Sequence, residues 1–148
     1  MLFRSLRNGQ DRAHAIYHTD ERSCACVVPH NSPIVYRFAE CTVSAVHLVF
    51  CSDLNRRTLP GSVTEQTRST RANRRRNSPQ MHMPTTLCRE FRLVGERNGE
   101  QIPLLTVTDN RKRAYHVSVE QPLDALMLVP VSNWGGSEET PVISFDFQ

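Results

Sequence analysis

No stretch of this chain approaches the ~20 consecutive apolar residues that a membrane-spanning helix needs, and no membrane partner is expected. The opening MLFRSLRNGQDR has basic residues but no continuous apolar run, so it does not read as a secretory signal. Glycine is scarce: there are six, and only Gly135 and Gly136 are adjacent. A turn that cradles phosphate needs clustered glycines between a strand and a helix. Neither occurs here, so no flavin or dinucleotide cofactor is expected in this chain. The cysteines number five, with one close pair, Cys24 and Cys26. A zinc site wants two matched pairs, or cysteines and histidines at paired spacing. No metal is therefore expected, and free thiols in a reducing cytoplasm are the reading for an odd count without a signal.

The histidines are equally unpromising for catalysis. His14, His18, His30, His47, His82 and His116 are dispersed, with His47 and His116 on outward positions of strand-like runs. Each reads as a solvated side chain. No Ser-His-Asp order stands out from chance among so many serines and acids. No catalytic residue is assigned.

What is present begins with charge. The net charge of +3 hides a segregation: seven arginines and a single acid, Glu65, lie between Arg56 and Arg76, and the remainder is net negative. That stretch, RRTLPGSVTEQTRSTRANRRRNSP, is rich in Ser, Thr, Asn, Gly and Pro, with no aromatic residue. Its composition is that of a solvated loop. It offers no ring for base stacking and no apolar stripe to seat a helix in a groove, so a nucleic-acid partner is not expected. Residues 56–82 are expected to form a mobile basic loop.

The rest of the chain has period two. In VSAVHLVF, Val46, Leu48 and Phe50 share one face, and Ala45, His47 and Val49 the other. CREFRLVGE, RAYHVSVE and PVISFDFQ alternate in the same way, and Ile143, Phe145 and Phe147 are expected together on the core face. PIVYRF, QIPLLTVT and LDALMLVPV add further strand candidates, with turns expected at RNGE, TDNRKR, VEQP and NWGG. Prolines 103, 122, 130 and 141 disfavour helix. Residues 1–32 lack clear periodicity and read as an irregular segment with at most one short strand. Seven or so short strands predict an all-β fold, a single β-sandwich spanning residues 1–148. The closing run Val142 to Phe147 is expected to be a paired strand that ends the domain.

The order PIVYRF, VHLVFCSDLNR, MPTTLCREFRL, DNRKRAYHVSV, LDALMLVPV, NWGG and ISFDF resembles the discoidin-like β-sandwich at the C-terminal end of a family of bacterial FAD-dependent oxidoreductases. The likeness runs over about residues 8 to 148. It implies a jelly-roll, galactose-binding-domain-like fold. It also implies a non-catalytic accessory domain separated from its flavin domain, with that domain as a partner in cis or in trans. FAD would then belong to the missing domain alone. The chain departs from the family at Tyr17, where a tryptophan is usual, at Asn133, where a threonine is usual, and in the length of the arginine-rich loop.

The alternative is a free-standing module that binds carbohydrate or another ligand. Sandwiches of this class use loops at one end as ligand sites, and sugar recognition favours an exposed aromatic with polar neighbours. Asp53, Asn55 and Arg56 in SDLNR, Asn110 and Arg113 in TDNRKR, and Asn133 and Trp134 in SNWGG are the candidate glycan-binding residues. A structural role competes with that one. Asn and Asp shape turns through their own side chains, and a lone tryptophan beside glycines commonly plugs the end of a core. The plug is the expectation for Trp134.

Overall fold

A computed structural model of the chain describes residue 6, residues 25–52 and residues 83–148. The candidates Asp53, Asn55 and Arg56, the basic loop, and His14, His18, Tyr17, Cys24 and His82 lie outside the described residues. Six strands and no helix are found among the described residues: β1 (Cys26–Pro29), β2 (Ile34–Phe50), β3 (Cys88–Arg97), β4 (Glu100–Val107), β5 (Ala114–Asn133) and β6 (Glu139–Phe147). They form one antiparallel sheet in the order β1-β6-β2-β5-β3-β4.

Two strands are too long to stay flat. A straight strand of 20 residues would run about 66 Å, and β5 has 20 residues and β2 has 17. Both bend at irregularities. The first part of β2, Ile34 to Arg37, pairs with Leu128 to Ala125 of β5. After breaks in register between Arg37 and Cys41 and between Val43 and Ala45, Ala45 to Val49 pairs with Ser118 to Ala114. On β5 the bend falls at Glu120, whose φ is 50°. Bulges of this kind increase the local twist and turn a strand from one layer into another. The sheet thus folds over itself into a sandwich. One layer holds β1, β6 and the meeting halves of β2 and β5; the other holds their opposite halves with β3 and β4.

Rings from the two layers meet between them. Phe91 of β3 lies 5.0 Å from Phe50 and 5.2 Å from Tyr115, centroid to centroid, and Tyr36 lies 4.9 Å from Phe145. These are ordinary separations for tilted and edge-on aromatic pairs. Val46, Leu48, Phe50, Phe91, Leu93, Leu123, Leu126, Leu128, Val142 and Phe145 are fully buried around them.

The all-β sandwich expectation holds, and so does the face assignment of Val46, Leu48 and Phe50. Two local expectations change, and the RNGE turn holds. PIVYRF and VSAVHLVF are one strand, as are RAYHVSVE and LDALMLVPV, because VEQP bends β5 without reversing it. Ile143 leaves the face of Phe145: β2 and β6 slip register between Val49 and Phe50, so Val142 enters the main core and Ile143 joins Val49 and Cys51 in a second cluster. The RNGE turn is a two-residue hairpin with Asn98 at φ 52° and Gly99 at φ 83°, the left-handed pair such a hairpin requires. Beside it Gly95 is pressed so close to Leu123 that an added Cβ would come within 2.8 Å of that side chain.

Candidate functional site

One end of the sandwich gathers the β1–β2 turn, the β4–β5 connection (108–113), the β5–β6 connection (134–138) and the approach to β3 (83–87). Trp134 sits here, half-buried, packed on the core cluster. Two backbone hydrogen bonds and one left-handed glycine hold its loop down. Trp134 N–H donates to Leu87 O at 3.1 Å, Gly135 N–H to Thr85 O at 2.9 Å, and Gly136 carries the turn at φ 69°. A Cβ on Gly135 would lie 2.7 Å from the Thr85 carbonyl oxygen, so this close approach requires glycine.

The two asparagines build the end of the sandwich. Asn110 is buried, and its side-chain Nδ2 donates to Cys88 O at 2.7 Å. Its Oδ1 accepts from Lys112 N at 2.7 Å and from the Tyr115 hydroxyl at 2.9 Å. Asn110 N–H donates to Arg89 O at 2.9 Å, so the β4–β5 connection is tied to the start of β3. Asn133 is buried as well. Its Oδ1 accepts from Gly135 N at 3.0 Å and Ser137 N at 3.2 Å, and its Nδ2 donates to Glu139 O at 2.7 Å and to the Ser137 hydroxyl. An amide side chain can make four such bonds. Those of Asn133 are all made within its own loop, an asparagine-shaped turn of the kind that favours this residue.

Trp134 joins the two loops. Its indole Nε1–H donates to the Asn110 carbonyl oxygen at 2.7 Å. The guanidinium carbons of Arg89 and Arg111 lie 5.0 and 5.7 Å from its ring centroid. Both distances are within reach of a cation–π interaction. Arg89 and Arg111 are exposed, and Arg111 also pairs with Asp109 at 3.2 Å. Lys112 lies 5.7 Å from the Tyr115 ring centroid, so three cations border this end. Arg113 is half-buried, and its carbonyl accepts from Phe50 N–H at 2.8 Å.

Of the candidates within the described residues, Trp134 is hydrogen-bonded to the Asn110 carbonyl, Asn133 shapes the loop that carries Trp134, and Arg113 meets Phe50 through its own carbonyl. The amides face inward; the indole and the two guanidinium groups face the loop end. Arg89 and Arg111 were not picked out from the sequence. Arg111 stands beside Asn110 in TDNRKR, but Arg89 reaches Trp134 only through a pairing of distant segments, for which no local signal exists. Cys88 lies directly beneath, and burial pushes its thiol up to about 12, leaving it neutral and inert.

No protein-family model matches the chain, and no curated protein sequence matches it. Among solved structures it is similar to a GH31 CBM32-2 module bound to GalNAc, with a TM-score of 0.56 and 9% identity over 80% of this chain. The chain spans 64% of that neighbour's length. It is also similar to the family 32 carbohydrate-binding module of Streptococcus pneumoniae EndoD, with a TM-score of 0.54 and 11% identity, covering 84% of this chain and 74% of that one. At such identities the likeness concerns the fold. The chain has a discoidin-like, galactose-binding-like β-sandwich fold.

Proposed function

We propose that this chain is a non-catalytic carbohydrate-binding module that receives a glycan at the loop end around Trp134. The observation that carries the reading is the half-buried indole bordered by Arg89 and Arg111 at the rim of the sandwich. An aromatic face offers the C–H surface of a sugar ring a flat apolar contact, and guanidinium groups supply fixed donors for its hydroxyl and carboxylate oxygens. The fold agrees with this reading, because two similar structures are carbohydrate-binding modules, one of them bound to GalNAc. Trp134 would then serve as plug and platform together. Its Nε1–H and one edge anchor the loops, and the remaining surface faces the ligand. The accessory role beside a flavin domain gains no support from these neighbours, and the module reading is the better-backed of the two.

A glycan microarray with the wild-type chain and an Arg89→Ala/Arg111→Ala double variant tests the proposal. Both side chains are exposed, so the double variant should keep its melting temperature. The wild type should retain a defined group of glycans, and the variant should lose them. Equal retention by both proteins would move the site away from this end of the sandwich.

A further inference from the structure

A second constellation lies on an outer face of the sandwich, within the layer that holds β6. His47 of β2 and His116 of β5 are register partners. Their rings meet edge-on at 4.4 Å between centroids, with His116 Nδ1 and His47 Nε2 2.9 Å apart. His116 is exposed and His47 half-exposed, so the pair is open to solvent. On the other side of His47, its register partner on β6 is Asp146, which completes a row of three polar residues across three adjacent strands.

We propose that His47 and His116 form a two-imidazole site for a divalent transition-metal ion, with copper(II) preferred. A hydrogen bond between two neutral imidazoles holds one proton between two nitrogens, and a metal ion can take that proton's place. The separation of the two nitrogens is close to what a shared ion needs. With metal–nitrogen bonds of about 2.05 Å, nitrogens 2.9 Å apart subtend about 90° at the metal. That is the angle between neighbouring ligands in the square or tetragonal coordination of copper(II) and nickel(II). Tetrahedral zinc would need the nitrogens to open to about 3.3 Å. Copper(II) also heads the affinity order for nitrogen ligands. Binding requires both facing nitrogens to present lone pairs. The ring whose facing nitrogen is protonated shifts its proton to its other nitrogen, and both rings swing about the soft torsion next to the ring. Among the described residues no group of three His, Cys, Asp or Glu side chains converges, so the remaining positions go to water. The Asp146 carboxylate opposite His47 adds a favourable charge to this face. The ion would clamp β2 to β5 across positions 69 residues apart in sequence.

Copper(II) chloride titrated into the full chain at pH 7.5 in a non-coordinating buffer, followed by calorimetry and electron paramagnetic resonance, tests the site. The wild type should bind one ion with a nitrogen-coordinated signal. His47→Ala and His116→Ala should each weaken it by at least about tenfold, the loss that disturbing even an outer-shell partner of a metal ligand produces. His30→Ala, whose ring instead contacts the Thr140 hydroxyl at 2.9 Å, should bind as wild type. An independent reading needs no variant: copper should first broaden the backbone amide resonances of Val46, Leu48, Tyr115 and Val117. Undiminished binding in a His47→Ala/His116→Ala double variant, first broadening elsewhere, or no stoichiometric binding by the wild type would each overturn the proposal.

Discussion

The indole N–H of Trp134 is held by the Asn110 carbonyl at 2.7 Å, and through that bond the β5–β6 loop is fastened to the β4–β5 connection 24 residues earlier. The ring therefore has a structural task in addition to the one proposed for its exposed surface. Trp134→Ala should cost about 2–3 kcal/mol in a denaturant melt, below the ~3–5 kcal/mol of a fully buried aromatic because the ring is half-exposed. Trp134→Phe should recover part of that loss, but not the hydrogen bond. An unchanged melt for the alanine variant would remove the plug role.

Phe145 is fully buried and lies 4.9 Å from Tyr36 across the sandwich. Phe145→Ala should cost about 3–5 kcal/mol, a large share of the ~5–15 kcal/mol that holds a domain together. Asp146 points the other way and accepts from Phe147 N at 2.8 Å. Asn keeps an acceptor there, so Asp146→Asn should leave the melt almost unchanged.

The two glycines after Trp134 should respond differently to alanine. At Gly135 the new Cβ meets the Thr85 carbonyl at 2.7 Å and its Cβ at 2.8 Å, so the loop must move away from the approach to β3. An overpacking loss of about 1–3 kcal/mol is expected, together with weakened glycan retention. At Gly136 there is space but φ is 69°, so the cost is backbone strain of about 1–2 kcal/mol. Retention should survive that change. Both are measured by urea melts beside the array.

Cys88 should make the fold sensitive to alkali. Burial raises its thiol from 9.0 to about 12. Between those values the unfolded chain has released the proton and the folded chain still holds it. The proton deficit of the unfolded state means that stability falls as pH rises through this window. The slope from this group reaches at most about 1.4 kcal/mol per pH unit. Below pH 9 the thiol contributes no slope. Cys88→Ala, compared with wild type in urea melts from pH 8 to 11, should show a shallower decline, and parallel declines would count against a buried neutral thiol.

How far the sequence could be read depended on the kind of signal. The alternation of Val46, Leu48 and Phe50 was legible because a strand with one face in the core repeats every two residues. The bends were not. A bulge inserts one residue without altering composition, so Ile143 looked like a partner of Phe145 until the register slip sent it to the other side. Glu120 at φ 50° gave no warning either, because glutamate is an uncommon left-handed residue and Pro122, two residues on, suggested a chain reversal. At the site, Trp134 and both asparagines were recognisable as loop residues. The inward aim of the amides and the arrival of Arg89 depended on pairings between distant strands. The histidines read as solvated, and their cross-strand contact likewise depends on a pairing of residues 69 apart.

Trp134 is the only tryptophan in the chain, so selectively excited tryptophan emission comes from the proposed site. The most direct measurement is a titration of the wild-type chain with the glycan it retains best on the array, followed by tryptophan emission. A saturable change in intensity or wavelength is expected, at the same concentrations that saturate binding by calorimetry. Calorimetric binding with no change in emission would place the glycan away from Trp134, and the absence of any retained glycan would contradict the carbohydrate-binding reading itself.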